Sequence, residues 1–223
     1  MTVGLVIVSH SAKLAEGVAE LAQQMAPEVL IAPAGGTADG ELGTDYDRVC
    51  AALDRVDRGG GVVLLYDLGS AQMIAELAVE GHSGAGEAFV VEAPLVEGAV
   101  AAAVAAQSGA DIDGVSRAAS SAAEAPVDFV VDDKPTAYRA EMVLHNEVGL
   151  HARPAALLAR AMGGLRAEVA VRHGEQQADA RSVLALMGLA ARDGDTIEVV
   201  ASGPDAREAI ARVQALVERG FEE

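Results

Sequence analysis

Four short apolar runs punctuate the first half of the chain: Val3–Val8, Val29–Ala32, Gly61–Tyr66 and Ala88–Val91. Each is short and apolar, Val3–Val8 being β-branched as well, with no polar alternation, the pattern of strands buried on both faces. Helical spacing fills the intervals. Ser11–Met25 sets Leu14, Val18, Leu21 and Met25 on one side, and Asp45–Asp57 does the same with Tyr46, Val49, Cys50, Leu53 and Val56. Ser70–Glu80 predicts a third helix with Ser70 as its cap. Two Ala-rich helical stretches, about 95–107 and 111–124, close this half. Alternating strands and helices with buried strands predict an α/β domain built on a parallel sheet over residues 1–125.

The texture changes near Ala125. Pro126 and the run Asp132-Asp133-Lys134-Pro135 interrupt all periodicity, so 126–136 reads as a linker, with Val127–Val131 either an edge strand or part of the tether. Beyond it the strands alternate. Tyr138–Leu144 turns Tyr138, Ala140, Met142 and Leu144 one way and Arg139 and Glu141 the other. Arg166–Arg172 and Asp195–Ala201 repeat the pattern. Helical stretches at 152–162, 182–190 and 204–219 lie between and after them. Residues 137–223 therefore predict an α+β open-faced sandwich, an antiparallel sheet with helices on one face.

The 223 residues carry a formal net charge of −18, with 14 Arg but only Lys13 and Lys134 as lysines. The acidic excess is concentrated in residues 1–125, at −13, against −5 in the remainder. Such a surface repels polyphosphate backbones, which argues against nucleic acid as a partner. The chain has no Trp and one cysteine, Cys50, which reads as a small core residue and forbids an intrachain disulfide. The N-terminus lacks a basic region ahead of its apolar run, so no secretory signal is expected. No apolar run approaches the roughly 18 residues of a membrane span. The expected location is the cytoplasm, with no membrane partner.

Two histidines occupy positions where chemistry is usual. His10 follows the first buried strand in Val8-Ser9-His10-Ser11, flanked by Ser9 and leading into a helix. In a parallel sheet the carboxyl ends of the strands line one crevice, and a helix start there favours an anion. Asp67 follows the third strand and reaches the same edge. A carboxylate on one imidazole nitrogen fixes the tautomer and frees the other to attack phosphorus. The plainer alternatives are a solvated loop histidine and a turn-capping aspartate. Gly149-Leu150-His151-Ala152-Arg153-Pro154-Ala155 is more specific. A glycine turn delivers His151 to a helix start, Pro154 lies in the first turn, and Arg153 can pair with phosphate oxygens. His82 reads as a solvated turn residue, His145 as a strand end and His173 as a hairpin residue. No histidines share metal-ligand spacing, so no metal is expected. Gly59-Gly60-Gly61 lacks a P-loop lysine and no GxGxxG follows a strand, so no nucleotide cofactor is expected either.

Gly149–Ala155 resembles the phosphorylation motif of HPr, the histidine phosphocarrier of the bacterial phosphoenolpyruvate-dependent phosphotransferase system. Ser182, in Arg181-Ser182-Val183-Leu184-Ala185-Leu186-Met187-Gly188, stands where some HPr proteins carry a serine modified by regulatory kinases. One departure is Val148, where some HPr proteins place a small polar residue. The first half resembles mannose-type enzyme IIA domains, and more closely the phosphoryl-donor subunits of dihydroxyacetone kinases. The residues that carry this are Leu5–Ser11, Gly43-Thr44-Asp45, Asp67–Ala71, Ala93–Gly98 and Ser108–Ile112.

The resemblance implies a phosphoryl relay. Phosphoenolpyruvate charges enzyme I, which charges His151, which charges His10, with Arg153 as the phosphate partner at His151 and Asp67 as the hydrogen-bonding partner of His10. His10 then phosphorylates ADP held by a separate kinase subunit, and the ATP formed phosphorylates dihydroxyacetone held by another. The chain ends at Glu223 without an enzyme I-like piece, so enzyme I is expected to act in trans. A homodimer through the N-terminal domain is also expected. Two other readings stand beside this one: a component feeding a mannose-type sugar permease, and a signalling protein read by its phosphorylation state.

Overall fold

A computed structural model describes residues 2–123, 137–146 and 149–222. The chain divides into two compact units, Met1–Glu124 and Ala125–Glu223. The expected linker 126–136, with the Val127–Val131 segment, and Val148 lie outside the described residues.

In the first unit, β1 (Gly4–Ser9), β2 (Ile31–Gly35), β3 (Val62–Tyr66) and β4 (Ala88–Val91) form a sheet in the order β2-β1-β3-β4. Every pairing is parallel. The helices are α1 (Ala12–Met25), α2 (Tyr46–Val56), α3 (Gly69–Gly81), α4 (Leu95–Gln107) and α5 (Ile112–Ser120). The continuous apolar runs have a simple cause, since both sheet faces are covered. Leu5, Ile7, Val63 and Leu65 pack with α1, α4 and α5 on one face. Val6, Val8, Val62 and Leu64 pack with α2 and α3 on the other. Cys50 is half-buried at the margin of that second core rather than inside it.

The second strand runs two to three residues later than its apolar pattern predicts. Val29 is buried from the preceding loop, and Pro33 lies in the strand beside Ile7. Proline is tolerated there because β2 is an edge and one face of its backbone needs no partner. The order β2-β1-β3 reverses direction at β1. This switch point opens a crevice at the carboxyl ends of β1 and β3.

In the second unit, β5 (Tyr138–Val143), β6 (Glu168–His173), β7 (Gln176–Asp179) and β8 (Thr196–Ser202) form an antiparallel sheet in the order β5-β8-β6-β7. Its helices are α6 (Ala152–Ala161), α7 (Val183–Gly188) and α8 (Ala206–Glu218). Met142, Val169, Val171, Ile197 and Val199 are buried on one sheet face, with Leu158, Leu186 and Val213 from the helices. The opposite face carries a polar ladder in which Glu198 pairs with Arg139 at 3.2 Å and with Arg172 at 3.3 Å. Among the described residues, no helix is long and apolar enough to cross a membrane.

Candidate functional site

His10 is the residue after β1 and Asp67 the residue after β3, and the switch point brings them together. Asp67 Oδ1 accepts from His10 Nδ1 at 2.9 Å and from the Leu68 amide at 2.8 Å. Its Oδ2 accepts from Ser9 Oγ at 2.8 Å and from the His10 amide at 2.9 Å. One carboxylate therefore receives both the ring and the backbone of His10. Burial pushes its pKa up, but the hydrogen bonds from the His10 amide and ring, Ser9 and Leu68 outweigh this and hold it below the usual carboxylate range. An ionised carboxylate only accepts, so Nδ1 carries the proton and Nε2 presents its lone pair. Ser9 is fully buried, and its hydroxyl also accepts from the Ser11 amide at 3.0 Å, tying the carboxylate to the start of α1.

Ser70 does not cap α3 as its position predicts. The helix begins one residue earlier, and Leu68 takes the N-cap place without a side-chain bond. Inside the first turn, Ser70 Oγ lies 2.7 Å from His10 Nε2. Nε2 thus faces a hydroxyl at a helix N-terminus, where amide N–H groups lack intrahelical partners and the dipole favours negative charge. The ring is a quarter exposed, enough for a donor to reach it.

In the second unit His151 is the N-cap of α6 and makes no capping bond with its side chain. The turn ahead of it needs glycine. Gly149 has φ +73°, and a Cβ there would stand 2.2 Å from Ala191 O. Leu150 is buried, and its amide donates to that same oxygen at 2.9 Å. Pro154 is buried in the first turn and Arg153 is exposed beside it. Asn146, which nothing but its polarity marks in the sequence, also serves this turn: its Nδ2 donates to Gly149 O at 2.8 Å. Ser182 caps α7, its Oγ accepting from the Ala185 amide at 3.2 Å.

The other histidines differ in part from their expected surroundings. His82 is no solvated turn residue, since its side chain is 7% exposed and its Nε2 lies 3.1 Å from Asp57 Oδ2. Asp57 reaches it across 25 residues of sequence, a contact that a local reading of Gly81-His82-Ser83-Gly84 cannot contain. His173 ends β6 at the hairpin and sets Nδ1 against Leu189 O at 2.9 Å. His145 is exposed just past β5. Among the described residues, no group of three His, Cys, Asp or Glu side chains is placed to hold a metal ion.

Residues 4–116 match a family model described as PTS system fructose IIA component, and residues 138–219 match one described as PTS HPr component phosphorylation site. The DhaM phosphoryl donor subunit of the PEP-dependent dihydroxyacetone kinase of Providencia stuartii is 38% identical over 98% of this chain and 50% of its own length. A DhaM protein of Listeria innocua is 42% identical over 45% of this chain and 78% of its own length. Phosphocarrier protein NPr of Escherichia coli is 48% identical over 35% of this chain and 88% of its own length. The chain spans about half the length of the first curated relatives it matches. With a IIA match over half its residues and DhaM likeness along nearly all of them, the chain belongs to the family of DhaM phosphoryl donor subunits, a IIA-type unit followed by an HPr-type unit.

Proposed function

We propose that the chain relays a phosphoryl group from His151, in an HPr-like domain over 137–223, to His10, in a IIA-like domain over 1–125. Enzyme I, charged by phosphoenolpyruvate, is the source at His151. The acceptor beyond His10 is ADP on a kinase subunit that phosphorylates dihydroxyacetone on a further subunit. The names of the DhaM relatives support this choice of acceptor over a sugar permease. The relay is assigned to the cytoplasm, and the N-terminal domain to a homodimer.

The observation that carries the reading is the pinned imidazole of His10, with Nδ1 on Asp67 and Nε2 open toward the start of α3. In the transfer, the Nε2 lone pair attacks phosphorus. The P–N bond to His151 breaks and its electron pair returns to that ring, which a proton on its other nitrogen lets depart as a neutral imidazole. His10 becomes a phosphorylated imidazolium, whose charge Asp67 meets at Nδ1. Ser70 turns its hydroxyl from Nε2 to a phosphoryl oxygen. In-line phosphoryl transfer asks mainly for positioning and charge stabilisation, which these groups supply. Arg153 offers the corresponding guanidinium at His151.

The test is the order of labelling. With phosphoenolpyruvate and enzyme I, His151→Ala should leave both units unlabelled, and His10→Ala should leave label on His151 alone, read by peptide mapping of acid-labile phosphate. Label on His10 in the His151→Ala chain, with no separate HPr added, contradicts the relay.

A further inference from the structure

The turn ahead of α6 holds a buried polar side chain that the relay does not use. Asn146 is 3% exposed. Its Nδ2 donates to Gly149 O at 2.8 Å, and its backbone carbonyl accepts from the Gly149 amide at 3.2 Å. The Gly149 carbonyl has a second donor. The His151 amide reaches it at 2.9 Å across a three-residue turn. Asn146 Oδ1, in contrast, is buried with no hydrogen-bond partner among the described residues. Leaving a buried oxygen unpaired is unfavourable. Turning the amide over would set that oxygen against the carbonyl of Gly149, so the donor role fixes the orientation.

The two donors to Gly149 O are unequal. A three-residue turn closes a bent hydrogen bond, and the His151 amide is the one within reach of an anion on its own ring. A phosphoryl dianion competes strongly for an N–H at a helix start. If that amide leaves, a carbonyl without Asn146 would lose its partner beside a new negative charge. The peptide between Gly149 and Leu150 cannot rotate to relieve this, because the Leu150 amide is fixed on Ala191 O at 2.9 Å.

We infer that Asn146 is a positioning residue for His151: its amide holds the Gly149 carbonyl in both charge states and so releases the His151 N–H to the phosphoryl oxygens. This rests on the reading of His151 as a phosphoryl carrier. It also gives the loop a side-chain hydrogen bond that Val148, an apolar residue, cannot make.

The test uses the full chain with His10→Ala and phosphoramidate as donor. The P–N bond of phosphoramidate breaks as a ring nitrogen of His151 takes the phosphoryl group, and ammonia leaves with a proton. Label on His151 is followed by phosphorus NMR, and the thermal midpoint of the unlabelled chain is measured alongside. Asn146→Leu should slow labelling and shorten the life of the phosphohistidine by about five- to tenfold, the effect of one neutral hydrogen bond, with the midpoint nearly unchanged. Asn146→Asp, which sets an ionised oxygen against Gly149 O, should lose more. Asn146→Leu with parental rate and lifetime, or with losses that only follow a fallen midpoint, overturns the inference. A parent chain that takes no label on His151 instead overturns the carrier reading, and the inference with it. Independently of any variant at 146, the Asn146 side-chain amide should stay protected from hydrogen exchange when His151 is phosphorylated, while the His151 amide resonance moves. Loss of that protection on phosphorylation overturns the inference.

Discussion

Asp67→Ala removes the carboxylate that receives four hydrogen bonds around His10. Only interactions that strengthen in the transition state slow the transfer when lost. Three of the four partners, Ser9, Leu68 and the His10 amide, keep their charge throughout. The fourth, the ring at 2.9 Å, passes from neutral to cationic as phosphorus bonds to Nε2. Two full charges about 4 Å apart at an effective dielectric of 20 interact by about 4 kcal/mol. With roughly half the charge developed, Asp67→Ala costs about 2 kcal/mol, or about 30-fold in rate. Asp67→Asn should not recover much of this. Its NH2 group would meet the His10 amide, a donor against a donor, wherever its oxygen stayed on the ring. The assay is single-turnover quench flow from a His10→Ala chain phosphorylated on His151 to a His151→Ala acceptor with or without the change at 67. Transfer at the parental rate in the Asp67→Ala acceptor, with none in a His10→Ala acceptor, would reduce Asp67 to a turn residue and refute the reasoning.

Two further outcomes are expected. Asp57 is held at about 2 by the Gly59 amide first, against the opposing effect of burial, with Gly86, His82 and Ala85 adding to the lowering. A folded pKa below the unfolded one means stability that is complete above the ordinary carboxyl value of 3.8 and lost as pH falls from there toward 2. The Asp57 side chain is 4% exposed, so water screens little of this, and the shift is worth about 2 kcal/mol at neutral pH; Asp57→Asn should therefore lower the neutral-pH midpoint and flatten the acid side of the stability curve, and an unchanged acid limb removes Asp57 from the account. At Ser182, Ala should cost about 1 kcal/mol as a lost N-cap, whereas Asp keeps the cap and adds charge. Slower charging of His151 by enzyme I with Ser182→Asp, at an unchanged midpoint, is the expected signature of a regulatory position, and unchanged kinetics would leave Ser182 a cap only.

The central strands of the first unit, β1 and β3, were legible because both of their faces are covered, which leaves aliphatic runs such as Val62–Leu65 with no polar interruption. The strand Gln176–Asp179 was not, since an edge strand with one buried residue, Ala178, shows neither alternation nor an apolar run. Position after strands one and three brought His10 and Asp67 into one crevice on paper, and the fold does so in fact. Ser70 and His82 show where local reading stops. A serine before a helical pattern reads as a cap, but whether Leu68 or Ser70 begins the helix depends on how β3 delivers the chain. His82 lies among glycines, and the partner that buries it comes from the end of α2. Asn146 was silent because its partner is a backbone carbonyl, which no side-chain pattern records.

The separation of His10 from Asp67 has a consequence for the life of the chain before it is complete. The two are 57 residues apart and meet only when β1 and β3 have paired in parallel. Parallel pairing across an intervening strand and two helices is a long-range event, among the slower steps of folding. A nascent or prematurely terminated chain that stops short of Tyr66 carries His10 with neither the carboxylate that fixes its tautomer nor the helix start opposite Nε2. Such fragments hold the histidine without the groups that orient its ring and would offset its charge. Under the proposed relay, aborted synthesis therefore leaves products that draw phosphoryl groups from the donors around them only slowly.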